Sequence, residues 1–480
     1  MKKRHRKRLL LINPWIYDFS AFDLWSKPVG LLYIAAYLRR VGYRVELIDC
    51  LDRYHPALLK HQRRSTPKMK AYGTGSFHRE IVAKPPLLDF VPRYFARYGL
   101  PEDIFFSELK KHDLPAAVLV TSLMTYWYPG PRRVIEIVQQ VFPGVPVLLG
   151  GIYATLLPDH ARKQLKPDYL ITGPAEIEAA RLLSQILPEA PVDSTPPKTL
   201  DDFPPPAFDL YPRLDYLVVM SSRGCPFHCT FCATDKISGA FTQRKPDRVV
   251  EEILRQTRNL KVRDVAFYDD ALLLNKKNRI IPILQQIIAE KPRLRFHTPN
   301  GLHAREIDEQ VANLFFRSGF RTIRLSFETV NPERLPDMKN KVTPSDLESA
   351  VKNLERSGYQ RKSLEAYVLM GLPGQSFEEV YRSILFVNSL GLKVSLASFS
   401  PIPGTVDFDR AVQQELFPAN ADPLLTNNSI YPLYRTTDAY WKFHKIRQLV
   451  NVLNQGIDRG VNLFTPNELR TALQQMTHNI

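Results

Sequence analysis

The run Arg223-Gly224-Cys225-Pro226-Phe227-His228-Cys229-Thr230-Phe231-Cys232 packs three cysteines into one short loop with the spacing C-x3-C-x2-C. The only other cysteine is Cys50. Thiolates are soft ligands, and three of them on one loop can hold three corners of an iron–sulfur cube while the fourth iron stays open. A structural zinc site would need a fourth Cys or His to close its tetrahedron. Cys50 lies far upstream at what reads as a buried strand end, which leaves His228 as the candidate for that role. A disulfide with a spare thiol is the third reading.

Around this loop the chain alternates strand and helix. Residues 9–13, 43–49, 116–121, 145–149 and 169–172 read as strands, and 29–41, 131–141 and 175–186 as amphipathic helices. This predicts a doubly wound parallel sheet over residues 1–186, with its ligand beyond the carboxyl ends of the strands. Residues 53–114 interrupt the pattern as an insertion. Phe90, Tyr94, Phe95 and Tyr98 recur there at helical spacing and read as a packing face. Residues 187–214 carry eight prolines and read as a stiff connector. Beyond it, strands read at 216–222, 264–268, 293–298, 322–328, 364–370 and 394–400, with helices such as 249–259 and 377–389 between them. Six βα units over 215–405 predict a partial (β/α)6 barrel with the cysteine loop after its first strand. Residues 406–480 form a C-terminal segment in which 440–453 reads as a helix.

The cysteine loop, with Phe231 before its last cysteine and the Arg-Gly-Cys-Pro lead-in, resembles the cluster motif of the radical S-adenosylmethionine (radical SAM) superfamily. The resemblance implies a [4Fe-4S] cluster on Cys225, Cys229 and Cys232, with S-adenosylmethionine chelated by the open iron. One electron then cleaves the sulfonium to methionine and a 5′-deoxyadenosyl radical, which abstracts a substrate hydrogen. The S-adenosylmethionine contacts it implies are Phe231, Asp269 and Asp270 jointly after the second strand, Ser326 and Glu328 after the fourth, and Gly371 after the fifth. Thr298-Pro299-Asn300-Gly301, after the third strand, reads either as a structural turn or as subfamily habit, and Asn300 is its one side chain to test for substrate contact.

Upstream, Pro28 and Gly30 at the first helix, Thr121 and Ser122 after the third strand, Gly150 and Gly151 after the fourth, and Gly173 and Glu176 after the fifth look like the cobalamin-binding Rossmann-type domain of one large radical SAM subfamily. The first-strand loop, Trp15 to Asp23, contains no histidine, so cobalt is expected to lack a histidine ligand from it. Gly173-Pro174-Ala175-Glu176 also departs from the more usual Gly-Glu-Gly-Glu. The resemblance implies a cobalamin-dependent methyltransferase acting on an unactivated carbon. Cyclisation, ring contraction or rearrangement is the alternative chemistry, and a sensor without turnover the alternative class. Flavodoxin or ferredoxin is the expected electron donor.

Composition frames these readings. The 480 residues are 44% hydrophobic, enough for two or three domains with ample core. No apolar run reaches the roughly 18 residues that span a bilayer. The basic start, Lys2 to Arg8, is followed by too short an apolar run to read as a signal peptide. Clustered cysteines in place of a disulfide framework point to a reducing cytoplasm. The formal charge is +16, but six of the basic residues lie in the first eight positions and the rest are dispersed. A small-molecule, lipid or peptide substrate is therefore expected over nucleic acid.

Overall fold

A computed structural model of the chain describes residues 7–460. Most of the basic start and the last twenty positions of the expected C-terminal segment lie outside the described residues. The first sheet has five parallel strands in the spatial order Tyr169–Leu170, Val147–Leu149, Ala117–Val120, Arg8–Asn13, Arg44–Asp49. Leu9 to Ile12 and Ala117 to Val120 are buried throughout, the near-continuous apolar reading of strands covered on both faces. In chain order this is 2-1-3-4-5, a doubly wound topology whose switch point lies between the first and third strands.

The second sheet runs Tyr216–Val219, Asp264–Phe267, Arg295–His297, Phe320–Glu328, Leu364–Met370, Lys393–Ser398, all parallel, with Leu302–His303 added beside Phe320–Glu328. First and last strands do not pair. The free edge at Lys393–Ser398 is covered by the helix Thr437–Arg459. There the Val394 N–H donates to Asn454 Oδ1, and Asn454 Nδ2 donates to the Val394 carbonyl, each at 2.9 Å. One amide side chain thus mimics a strand neighbour and blunts the edge.

The proline-rich stretch does not stand free as a spacer. It lies along the helix Val29–Val41: Tyr37 donates to Asp193 at 2.6 Å, the Ala207 N–H donates to the Leu32 carbonyl at 3.1 Å, and Tyr211 donates to Asp49 at 2.5 Å. Trp25, Leu32, Phe208, Tyr211, Tyr216 and Leu217 then share one apolar cluster between the two sheets. Proline fixes its own φ, so the eight prolines lower the entropy lost when the stretch settles into one groove.

The insertion is also different from its reading. Phe90, Tyr94, Phe95 and Tyr98 fall on loop and on the strand Ala96–Tyr98, which pairs antiparallel with Ile16–Asp18 and Arg79–Ile81. Phe95 and Tyr98 are buried, but Tyr94 is 76% exposed. Only Tyr98 of the four lies on that strand, so their spacing does not mark one helical face.

Candidate active site

Strand Tyr216–Val219 delivers the chain to Ser222–Arg223, which pairs with Thr242–Gln243, and Gly224 then turns with φ +81° into Cys225. Left-handed backbone favours glycine here. Cys229 is buried, while Cys225 and Cys232 are partly exposed. The loop is anchored from two sides. The Thr230 N–H donates to the Asp337 carbonyl at 3.1 Å and its hydroxyl to Asp407 at 2.7 Å, and Arg410 bridges Asp337 and Asp407. Burial raises the Cys225 and Cys229 pKa values. Burial disfavours the Lys341 ammonium, but Glu328 and then the three loop cysteines beside it more than offset this, and its pKa is raised.

His228 has a side chain 69% exposed and lies 3.9 Å from Asp235. Among the described residues no three His, Cys, Asp or Glu side chains converge on a single-ion cage. The zinc reading therefore finds no fourth ligand in His228.

Asp269 and Asp270, read jointly from the sequence, separate. Asp269 turns inward, where it accepts from the Ser221 N–H, the Ser221 and Ser222 hydroxyls and Arg279, all between 2.6 and 3.0 Å. Arg279, 1% exposed, also donates to the carbonyls of Ala271, Leu272 and Leu274. This buried pair fixes the loop start and leaves Asp269 without a free face, although Arg279 Nε finds no partner among the described residues. Asp270 opens on the cleft beside Gly224. That open surface faces inward among protein atoms, so burial, then Asp269, push its pKa up to about 6.

The remaining expected contacts surround the same region. Glu328 ends its strand at φ +74°, after a bulge at Ser326, and burial raises its pKa. Such a conformation costs energy in a non-glycine residue and re-aims the side chain. Ser326 is packed so tightly against Gly301 that a Cβ there would meet its Oγ at 2.4 Å. Gly371, at φ +89°, faces open space, and its N–H donates to Gln375. Phe231 packs beside Met338, Leu372 and Phe408. Asn300 is exposed and donates its amide to the carbonyls of Tyr268 and Asp269, which ties it to the end of the second strand.

The upstream residues gather as well. One cavity of about 350 Å³ is lined by Pro28, Gly30, Thr121, Ser122, Gly150, Gly151, Gly173 and Glu176 from the first sheet's side. Ser222, Arg223, Tyr268 and Asp270 line it from the second. Their roles differ. Gly151, at φ +101°, lies against Ser122: a Cβ would meet the Ser122 carbonyl oxygen at 2.2 Å. The Ser122 hydroxyl donates to the Gly150 carbonyl at 2.7 Å. These residues build the wall. At Gly30 and Gly173 a Cβ would meet nothing within 4 Å, so there the wall borders open space. Glu176 is buried and ion-paired with Arg223 across the cavity.

A parallel sheet of βα units carrying a C-x3-C-x2-C loop after its first strand, behind a doubly wound sheet, defines a radical SAM protein. The chain matches the radical SAM superfamily over residues 219–387 and carries a radical SAM domain there. It is 27% identical to an uncharacterized methyltransferase of Pyrococcus horikoshii over 72% of this chain and 78% of the relative. It is 22% identical to the cytidylyl-2-hydroxyethylphosphonate methyltransferase of Streptomyces wedmorensis, over 86% and 83%. The fold is similar to the radical S-adenosylmethionine methyltransferase TsrM of Kitasatospora setae, solved with cobalamin and a [4Fe-4S] cluster, with TM-score 0.62 and 16% identity over 85% and 78% of the chains. Among the described residues no helix is long and apolar enough to cross a membrane.

Proposed function

We infer that the protein is a cobalamin-dependent radical SAM methyltransferase acting on an unactivated carbon of a small molecule. The observation that carries this reading is the single cavity lined from one side by the glycine turns of the first sheet and from the other by Arg223 and Asp270, next to the cysteine loop. The methyltransferase relatives support the reaction class, and the cobalamin in the TsrM structure supports the cofactor.

The residues present fit these groups. Three thiols on one anchored loop suit a cluster with one open iron. The open space beside Gly30 and Gly173 suits close approach of a ligand to backbone. When bound, the cluster and S-adenosylmethionine supply one-electron chemistry and cobalamin carries the methyl group. In this reading Cys225, Cys229 and Cys232 hold the cluster, and Asp270 accepts from the amino group of S-adenosylmethionine. Ser326, Glu328, Gly371 and Phe231 line the rest of that molecule. Pro28, Gly30, Thr121 and Gly173 border the cobalamin tail, while Ser122, Gly150, Gly151 and Glu176 keep the wall in shape. Residues 1–186 act as the cobalamin-binding unit, 215–405 as the radical SAM core, 187–214 as their connector and 406–480 as a cover. The electron comes from a protein donor such as flavodoxin or ferredoxin in a reducing cytoplasm.

The test is anaerobic reconstitution followed by reduction. Protein that retains cobalamin and a cluster, and forms 5′-deoxyadenosine from S-adenosylmethionine, supports the reading. Reduced protein with both groups bound and no S-adenosylmethionine cleavage overturns it in favour of a sensor.

A further inference from the structure

A second concavity, of about 710 Å³, lies between the Phe19–Phe22 loop and the insertion, and shares no lining residue with the cavity between the sheets. Its charge is one-sided. Arg64, Lys68, Arg79 and Arg93 line it together with His61 and His78, and no Asp or Glu does. Arg53 also reaches it but is already committed: it is buried, ion-paired with Asp23 at 2.8 Å, and donates to the Gly73 carbonyl. The other four cations take part in no ion pair among the described residues. Arg93 donates to the Phe19 carbonyl at 3.0 Å and lies over the Phe19 ring, which aims its guanidinium along the cleft wall. His78 Nε2 is buried with no hydrogen-bond partner, the nearest carboxylate being Glu80 at 3.7 Å.

The surroundings strengthen this field. Phe19, Phe77 and Tyr98 are at most 7% exposed and form an apolar floor, and low-dielectric walls focus the potential of charges in a concavity. Ser20, Ser76 and Gln62 add neutral hydrogen-bonding groups. Four like charges sharing one hollow repel each other, and a surface that only needed solubility would intersperse acids among them. A compact anion of matching charge removes that repulsion. Guanidinium forks match phosphate oxygens in pairs, and lysine serves phosphate as a point charge.

We propose that this cleft binds a small polyanion carrying phosphate groups, at a site separate from the radical chemistry. Isothermal titration calorimetry on the full chain with inorganic pyrophosphate tests it, with tricarballylate as a polycarboxylate of comparable charge. Pyrophosphate is expected to bind one per chain, at least about tenfold more weakly at 0.3 M than at 0.05 M salt because the pairs are partly screened. Arg64→Gln/Lys68→Gln/Arg79→Gln, three exposed side chains, should weaken it at least about tenfold, with thermal unfolding and iron content unchanged. Undetectable pyrophosphate binding at millimolar concentration, or undiminished binding by the triple variant, overturns the site. Equal affinity for tricarballylate overturns the phosphate assignment. Loss of cobalamin or of the cluster affects neither outcome, since no lining residue is shared.

Discussion

Glu176, in the first turn of the helix Glu176–Ile186, is ion-paired with Arg223, two residues before Cys225. Their side chains are 6% and 18% exposed. Both residues line the cavity between the sheets, and removing a single partner strands the other's charge. Glu176→Ala should cost about 3 kcal/mol in urea unfolding, near the lower end for a broken buried pair. Glu176→Gln/Arg223→Met should recover more than half of that. A single-variant loss below about 1 kcal/mol would reduce the link to the weight of a surface pair.

Gly30 and Gly151 predict opposite failures. Gly30→Leu adds a side chain to open space at a helical position, so the fold should persist, with cobalamin retention falling at least about tenfold and cluster absorbance unchanged. Gly151→Ala drives a Cβ into the Ser122 backbone from a left-handed conformation. It should destabilise the protein by about 2 kcal/mol or more before any question of ligand arises. Retention of cobalamin by folded Gly30→Leu protein would count against the tail lying there.

Asp270 carries a pH signature. Its pKa of about 6 lies above the ordinary 3.8, so between these values the folded protein binds more protons than the unfolded chain, and stability falls as pH rises through that window. Asp270→Asn should flatten this slope and raise stability at pH 7 by about 1 kcal/mol, well under the full shift because the carboxyl meets cleft solvent. S-adenosylmethionine affinity should rise with pH through 6 in the wild type and lose that dependence in the variant. An unchanged affinity profile in Asp270→Asn would remove the residue from the amino-group site.

Cys50 is fully buried, with its thiol pKa raised by burial. Its carbonyl accepts the Leu100 N–H at 2.7 Å. Cys50→Ala should cost about 1 kcal/mol and leave iron content unchanged. Alanine at Cys225, Cys229 and Cys232 together should abolish iron binding. Iron lost from Cys50→Ala protein would contradict the three-cysteine assignment.

Where periodicity was strong, sequence and structure coincide to the residue: the helices Val29–Val41 and Phe377–Ser389 and the strand Leu364–Met370 have the expected bounds. Their apolar stripes and bounding Gly, Ser or Pro leave little choice of ends. The glycine turns that line the cavity were legible because glycine after a strand is a local signal. The pairing of Arg223 with Glu176, and the roles of Arg279 and Lys341, were not, since a cation acquires its partner only when distant segments meet. Arg279 and Asp269 are ten residues apart, but their shared hydroxyls come from Ser221 and Ser222 on another strand's end. The same long-range choice divided Asp269 from Asp270, which no dipeptide pattern could do.

The anchoring of Thr230 to Asp337 and Asp407 bears on how the metal centre is assembled. A loop already held at both a backbone and a side-chain position has surrendered most of its conformational freedom when the chain folds. Little entropy then remains to be lost when iron and sulfide arrive. Rebuilding of the centre in purified apoprotein should accordingly run at the speed of ion and sulfide delivery, with a weak dependence on temperature. Cutting the tie with Thr230→Val should slow that rebuilding while leaving the three sulfurs in place.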